Sequence, residues 1–114
     1  RYFDHLRHRL EQGMDNMVFS PLDMVFERAL KVMPASYKLW HAYLEWKREQ
    51  FRQAISLSAE VEFKLEELIS LYERALVCLP RMPRLWLDYL SVLGCTHRLT
   101  ACRLLFNRAL AALP

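Results

Sequence analysis

The side chains that could do chemistry are few and scattered. His5 and His8 stand three residues apart with Asp4 and Glu11 close by, a spacing that shares one face of a helix. Zinc sites gather three or four convergent ligands, often with cysteine among them. No such third ligand accompanies these histidines, so no metal is expected. Cys78, Cys95 and Cys102 are an odd number outside any C-x-x-C arrangement, the pattern of reduced packing residues in a cytosolic or nuclear protein. No serine, cysteine or carboxylate falls in a nucleophile or acid–base arrangement, and two isolated glycines cannot build a loop that cradles phosphate. Neither an enzyme nor a cofactor is expected.

Charge offers a second candidate. Residues 81–114 hold Arg81, Arg84, Arg98, Arg103 and Arg108 against one acid, Asp88, whereas residues 58–80 hold five glutamates against Lys64 and Arg74. Two readings stay open. These are solvated faces or complementary charges between neighbouring segments, or the arginines line a groove for RNA or an acidic partner. The net charge of +3 does not decide between them.

The elements that must position these groups follow from a repeated word. Residues 71–80 read L-Y-E-R-A-L-V-C-L-P, residues 25–34 V-F-E-R-A-L-K-V-M-P, and residues 105–114 L-F-N-R-A-L-A-A-L-P. A second word, L-W-x-x-Y-L, stands at 39–44 and 85–90. The E-R-A-L words lie 46 and then 34 residues apart, and the two Trp words 46 apart. The basic unit is therefore about 34 residues, with 12 more inserted between the words of the second unit. Repetition at this period signals stacked supersecondary units.

Both words are helical. Leu22, Phe26, Ala29, Leu30 and Met33 follow i, i+4, i+7, i+8, i+11, as do the matching positions of the later copies, one continuous apolar stripe. Trp, Tyr and Leu of the other word fall at i, i+3 and i+4. Each unit is thus a Trp-bearing helix A followed by an E-R-A-L helix B. The units are residues 1–34 (helix A truncated, helix B over 21–33), 35–80 (both helices lengthened and meeting at a turn near 56–58) and 81–114. Residues 1–12 read as the end of a helix A stopped by Gly13, and both ends of the chain read as interior edges of an array.

Local signals punctuate this plan. Ser20 is the expected N-cap of the first helix B, with Pro21 at its first position, Asp23 in the capping-box place, and Phe19 and Met24 as a hydrophobic staple. Pro34 and Pro80 end the helices before them. Ser36 and Pro83 open the next helices A, Gly94 is the expected stop of the last one, and Thr96 or Thr100 the expected start of the final helix. No apolar run approaches the roughly 18 residues a membrane span requires, and no signal-peptide core is present.

A lone hairpin cannot bury enough surface, so units must stack. The expected packing residues are Trp40, Tyr43, Trp86 and Tyr89 of the A helices, with Phe26, Tyr72, Phe106, Ala29, Ala75 and Ala109 of the B helices. The alanines mark close backbone approach. The pairs Glu27-Arg28 and Glu73-Arg74 are either solvated or bridge stacked copies, and the third copy has Asn107-Arg108.

W-x-x-Y without the glycine of a tetratricopeptide helix, followed by Y/F-E-R-A-L-x-x-x-P, resembles the half-a-tetratricopeptide (HAT) repeat of RNA-processing scaffolds. Residues 36–40 (S-Y-K-L-W) and 82–89 (M-P-R-L-W-L-D-Y) resemble more closely the N-terminal repeats of the Syf / XPA-binding protein two family of pre-mRNA splicing factors. The resemblance implies an all-α fold, a right-handed α-solenoid of antiparallel helical hairpins. It further implies a nuclear, non-catalytic scaffold subunit of the NineTeen complex of the spliceosome, with protein partners, a link to transcription-coupled repair, and RNA contact secondary. The alternatives are an RNA-binding module, or a scaffold of the crooked-neck-like or 3′-end-cleavage type. No membrane or small-molecule partner is implied.

Overall fold

The computed structural model describes residues 20–114. The expectations for residues 1–12, for Gly13, for the His5–His8 face and for the Phe19–Met24 staple lie outside the described residues. Those described form five helices and no strand: α1 (Pro21–Val32), α2 (Tyr37–Leu57), α3 (Val61–Cys78), α4 (Pro83–Cys95) and α5 (Leu99–Ala112). The described residues are all-α, as the repeated stripes require. Helices α2 and α3 contain 21 and 18 residues against 13 and 14 in α4 and α5, so the extra residues of the second unit are helix, not loop.

The helix starts show which local signals act. The Ser20 hydroxyl accepts the Asp23 N–H at 3.2 Å with Pro21 in the first turn, and the Ser36 hydroxyl accepts the Leu39 N–H at 3.4 Å. Each satisfies one of the orphan amides of its helix. Pro83 opens α4 behind Met82, which makes no side-chain cap. Helices α1, α3 and α5 all stop two residues short of a proline, at Val32, Cys78 and Ala112, because proline disfavours helical geometry at the residue before it.

Two boundary expectations are corrected. Neither Thr96 nor Thr100 caps α5, whose N-cap is Arg98 without a side-chain bond. The Thr96 hydroxyl instead donates backward to the carbonyls of Val92 and Leu93, at 2.9 and 3.1 Å. Gly94 is not the stop of α4. It lies inside the last turn and has no positive φ, and the left-handed residue is His97, at φ 59°. The Arg98 N–H reaches back to the Leu93 carbonyl and that of His97 to the Gly94 carbonyl, the paired bonds of a Schellman ending. The end of α2 is built alike, with Ser58 at φ 53° and bonds from Ala59 to Ala54 and from Ser58 to Ile55.

The described residues fall into two compact units, one ending at Arg74 and the other Ala75–Pro114, with α3 running across the division. In the first, α1 packs against α2, and Leu30, Trp40, Tyr43, Leu44, Leu68 and Tyr72 are among the buried residues. In the second, α4 packs against α5, with Leu85, Trp86, Tyr89, Leu105 and Ala109 buried. No described helix is long and apolar enough to cross a membrane.

Candidate functional site

In the first unit, several polar side chains join helices. Trp40 is 2% exposed, and its indole N–H donates to the Pro34 carbonyl at 2.7 Å. That carbonyl precedes the start of α2, so the tryptophan ties down the link between α1 and its own helix. Arg74, from α3, lies over the Trp40 ring at 5.5 Å and holds the Glu27 carboxylate of α1 through two nitrogens, at 3.0 and 2.6 Å. A fork-to-carboxylate contact of this kind is geometrically specific. Of the two readings left open for the E-R pairs, this one is a bridge: the arginine of the second E-R-A-L word binds the glutamate of the first.

The second unit repeats the arrangement around tryptophan. Trp86 is 4% exposed, its N–H donates to the Pro80 carbonyl at 2.8 Å, and the Arg108 guanidinium lies over its ring at 5.7 Å. Proline and tryptophan are six residues apart both times. This proline-to-tryptophan bond was not anticipated, although the shared spacing was its signal.

A second cluster lies deeper. Lys47 is 8% and Asp23 5% exposed. The Lys47 ammonium sits 3.0 Å from Asp23 and 3.3 Å from Glu67, so one cation from α2 serves carboxylates of α1 and α3. The remaining Asp23 oxygen accepts the Trp46 indole N–H at 2.8 Å. Asp23 is therefore not the capping-box partner its place suggested: both oxygens point to α2, where the interhelical cation outweighs a single amide. Lys47 continues the buried stripe of Trp40, Tyr43, Phe51 and Ala54, and that registration could have flagged it.

Between these clusters, Phe26 stacks on Tyr43 with ring centroids 4.9 Å apart and planes 13° apart. Burial pushes the Tyr43 phenol well above its ordinary range, helped by the negative charges of Glu27 and Asp23 and by its hydrogen bond to Glu27, against the opposing charge of Arg74. The hydroxyl stays protonated and donates to the carboxylate.

The expected packing residues divide. Trp40, Tyr43, Trp86, Tyr89, Tyr72, Ala75 and Ala109 are buried, while Phe26 and Ala29 are half-buried. Phe106 is 52% exposed and its placement in the core is corrected. Leu105 and Ala109 form the seam that α5 offers α4, and Phe106 lies about 100° around the helix from Leu105. Cys95 is exposed, not a packing residue, whereas Cys78 and Cys102 are partly buried. The Cys102 thiol contacts the Leu90 carbonyl at 3.8 Å.

The five arginines are not gathered. Contacts between residues 86 and 108 and between 90 and 102 show that α4 and α5 run antiparallel. Arg81, Arg84 and Arg108 thus share one end of this hairpin, Arg98 lies at the other, roughly 20 Å away along 13 residues of helix, and Arg103 falls between. Arg84 faces Asp88 at 3.5 Å. No group of three metal-ligating side chains occurs among the described residues.

Helical hairpins in which tryptophan closes on a preceding proline carbonyl and under the arginine of the repeated R-A-L word define a helical-repeat protein. The family model described as "Pre-mRNA-splicing factor Syf1/CNRKL1 N-terminal HAT repeat" matches residues 1–114, and the chain belongs to that family. It is 41% identical over 114 residues to the Drosophila melanogaster "Pre-mRNA-splicing factor syf1 homolog", covering 100% of this chain and 12% of that protein. It is 43% identical over 93 residues to the Homo sapiens "Pre-mRNA-splicing factor SYF1" (82% of this chain, 10% of that protein). The Dictyostelium discoideum protein of the same name is 40% identical over 90 residues (79% and 10%). The chain spans about a tenth of the length of these relatives.

Proposed function

We propose that this chain is part of a non-catalytic scaffold in pre-mRNA splicing, whose helical repeats hold other spliceosomal proteins. The observation that carries the reading is the family match over residues 1–114 together with relatives named as pre-mRNA splicing factors. The use of Glu27, Arg74, Asp23 and Lys47 to join helices agrees with it, since these charged groups serve the architecture. In this reading the units 1–34, 35–80 and 81–114 are successive HAT repeats, the protein works in the nucleus, and its partners are those of the NineTeen complex. The resemblance to the XPA-binding protein two family extends the proposal to transcription-coupled repair. Affinity purification of the full-length protein from nuclear extract at moderate salt, with mass spectrometry, tests it. Recovery of NineTeen-complex and activated-spliceosome proteins is expected; recovery of polyadenylation or ribosome-biogenesis factors in their place overturns the assignment.

The exposure of Arg81, Arg84 and Arg103 favours a second reading, direct RNA binding by α4 and α5. Its mark is salt dependence: affinity that rests on phosphate contacts falls steeply between about 50 and 200 mM salt. A flat or absent RNA signal across that range removes it.

A further inference from the structure

Four positions of α1 meet the helices that follow it. Asp23, Phe26, Glu27 and Leu30 are spaced i, i+3, i+4 and i+7, one face of a helix. Asp23 holds Lys47 and Trp46, Phe26 stacks on Tyr43, Glu27 takes the Arg74 fork, and Leu30 is 5% exposed. In α5 the third copy of the word places Arg103, Phe106, Asn107 and Leu110 at the same four positions. Here the face is uncovered: Phe106 is 52% and Leu110 64% exposed, and Arg103 and Asn107 are exposed as well. Leu99, one turn before Arg103, is 68% exposed and lengthens the apolar stripe.

The apolar half of the pattern is kept in α5 and the polar half is changed. Helix α1 offers two carboxylates, which suit the cations that cover it. Helix α5 offers a guanidinium where Asp23 stands and a neutral amide where Glu27 stands. A lysine placed as Lys47 is would meet Arg103, a like-charge contact that rejects such a partner. Asn107 cannot replace the carboxylate that a guanidinium fork grips through two oxygens.

The occupant follows from what covers α1. That is the next helix in sequence, α2, reached over residues 33–36. Leu113-Pro114 ends α5 as Met33-Pro34 ends α1, and the chain spans about a tenth of the length of its relatives. We infer that the Arg103, Phe106, Asn107 and Leu110 face of α5 docks a helix from a later stretch of the full-length protein. This helix sets an aromatic ring on Phe106, as Tyr43 is set on Phe26, but brings no cation to Arg103. Arg103 and Asn107 thus select it against a helix of the α2 type, so that the units are not interchangeable. Arg103 leaves the candidate RNA surface and serves a joint internal to the scaffold, whichever proteins the scaffold holds.

The test places the diazirine analogue photo-leucine at Leu110 of the full-length protein and sequences the adduct formed on irradiation. The expected adduct joins position 110 to a later stretch of the same molecule, with an aromatic residue and no Lys or Arg four residues beyond it, the spacing from Tyr43 to Lys47. An adduct to a second copy, to another protein or to RNA overturns the proposal, as does no adduct or a stretch with a cation at that spacing. Hydrogen exchange checks the selecting role of Arg103. Arg103→Glu keeps good helix propensity, so a change in protection reports the docking. Protection of residues 99–112 should fall roughly tenfold in this variant, with residues 37–57 unchanged. Unchanged or increased protection of residues 99–112 overturns the assignment of Arg103, since a covering lysine would gain from the glutamate.

Discussion

Gly94 shows how a residue's type can mislead about its role. A glycine near a helix end suggests the left-handed stop, yet here that conformation belongs to His97, and an added β-carbon at Gly94 meets nothing within 4 Å. Gly94→Ala should therefore stabilise the protein by about 0.5–1 kcal/mol, the helix-propensity difference, read as a higher urea midpoint. A loss of stability would mean that Gly94 does terminate the helix. Lys47 is the opposite case, a charged residue that the fold buries. Lys47→Met leaves Asp23 and Glu67 without their shared cation and should cost about 3–5 kcal/mol. Asp23→Asn/Lys47→Met should recover much of that, because the asparagine oxygen can still accept from Trp46. Equal losses in the single and double variants would show that the pair is incidental.

Among the elements, the most informative join is the one linking α1, α2 and α3 through Glu27, Trp40, Tyr43 and Arg74. A double-mutant cycle of Glu27→Gln and Arg74→Met should show a coupling of about 1–2 kcal/mol, since charge-assisted bonds are strong and this pair is only partly buried. Additive single effects would reduce it to a solvated pair. Tyr43 gives the same join a pH signature. Its folded pKa lies above the unfolded value of about 10, so the stabilisation it gives is fully present below pH 10 and is lost as pH rises beyond it. Tyr43→Phe should show a shallower loss of stability above about pH 10 than the unsubstituted protein, and parallel curves would contradict the assignment.

Much of this was legible in the chain itself. Three R-A-L words, two of them E-R-A-L, and two Trp words name the helices, and Ser20, Ser36 and Pro83 mark their starts. What stayed hidden was interhelical. Residue type assigns Asp23 and Lys47 to the polar side although Lys47 falls in register with the stripe of Trp40 and Tyr43, and only a partner on another helix explains their burial. The Trp40–Pro34 bond depends on how the chain turns between α1 and α2, which no stripe encodes. Phe106 misled for a related reason: its word matches those of Phe26 and Tyr72, but exposure depends on what packs beside the helix.

At the scale of the whole molecule, sequence and fold converge on a protein built from repeated helical joins, without gathered catalytic or metal-ligating side chains among the described residues. The two units carry the same tryptophan arrangement, so breaking both should remove the proposed partner-binding surface. Trp40→Ala and Trp86→Ala each delete a buried ring and should cost about 3–5 kcal/mol. The decisive measurement is splicing of a reporter pre-mRNA in nuclear extract depleted of the full-length protein. The account predicts that depletion stops splicing, that the unsubstituted protein restores it, and that Trp40→Ala/Trp86→Ala does not. Full-rate splicing in the depleted extract would contradict it.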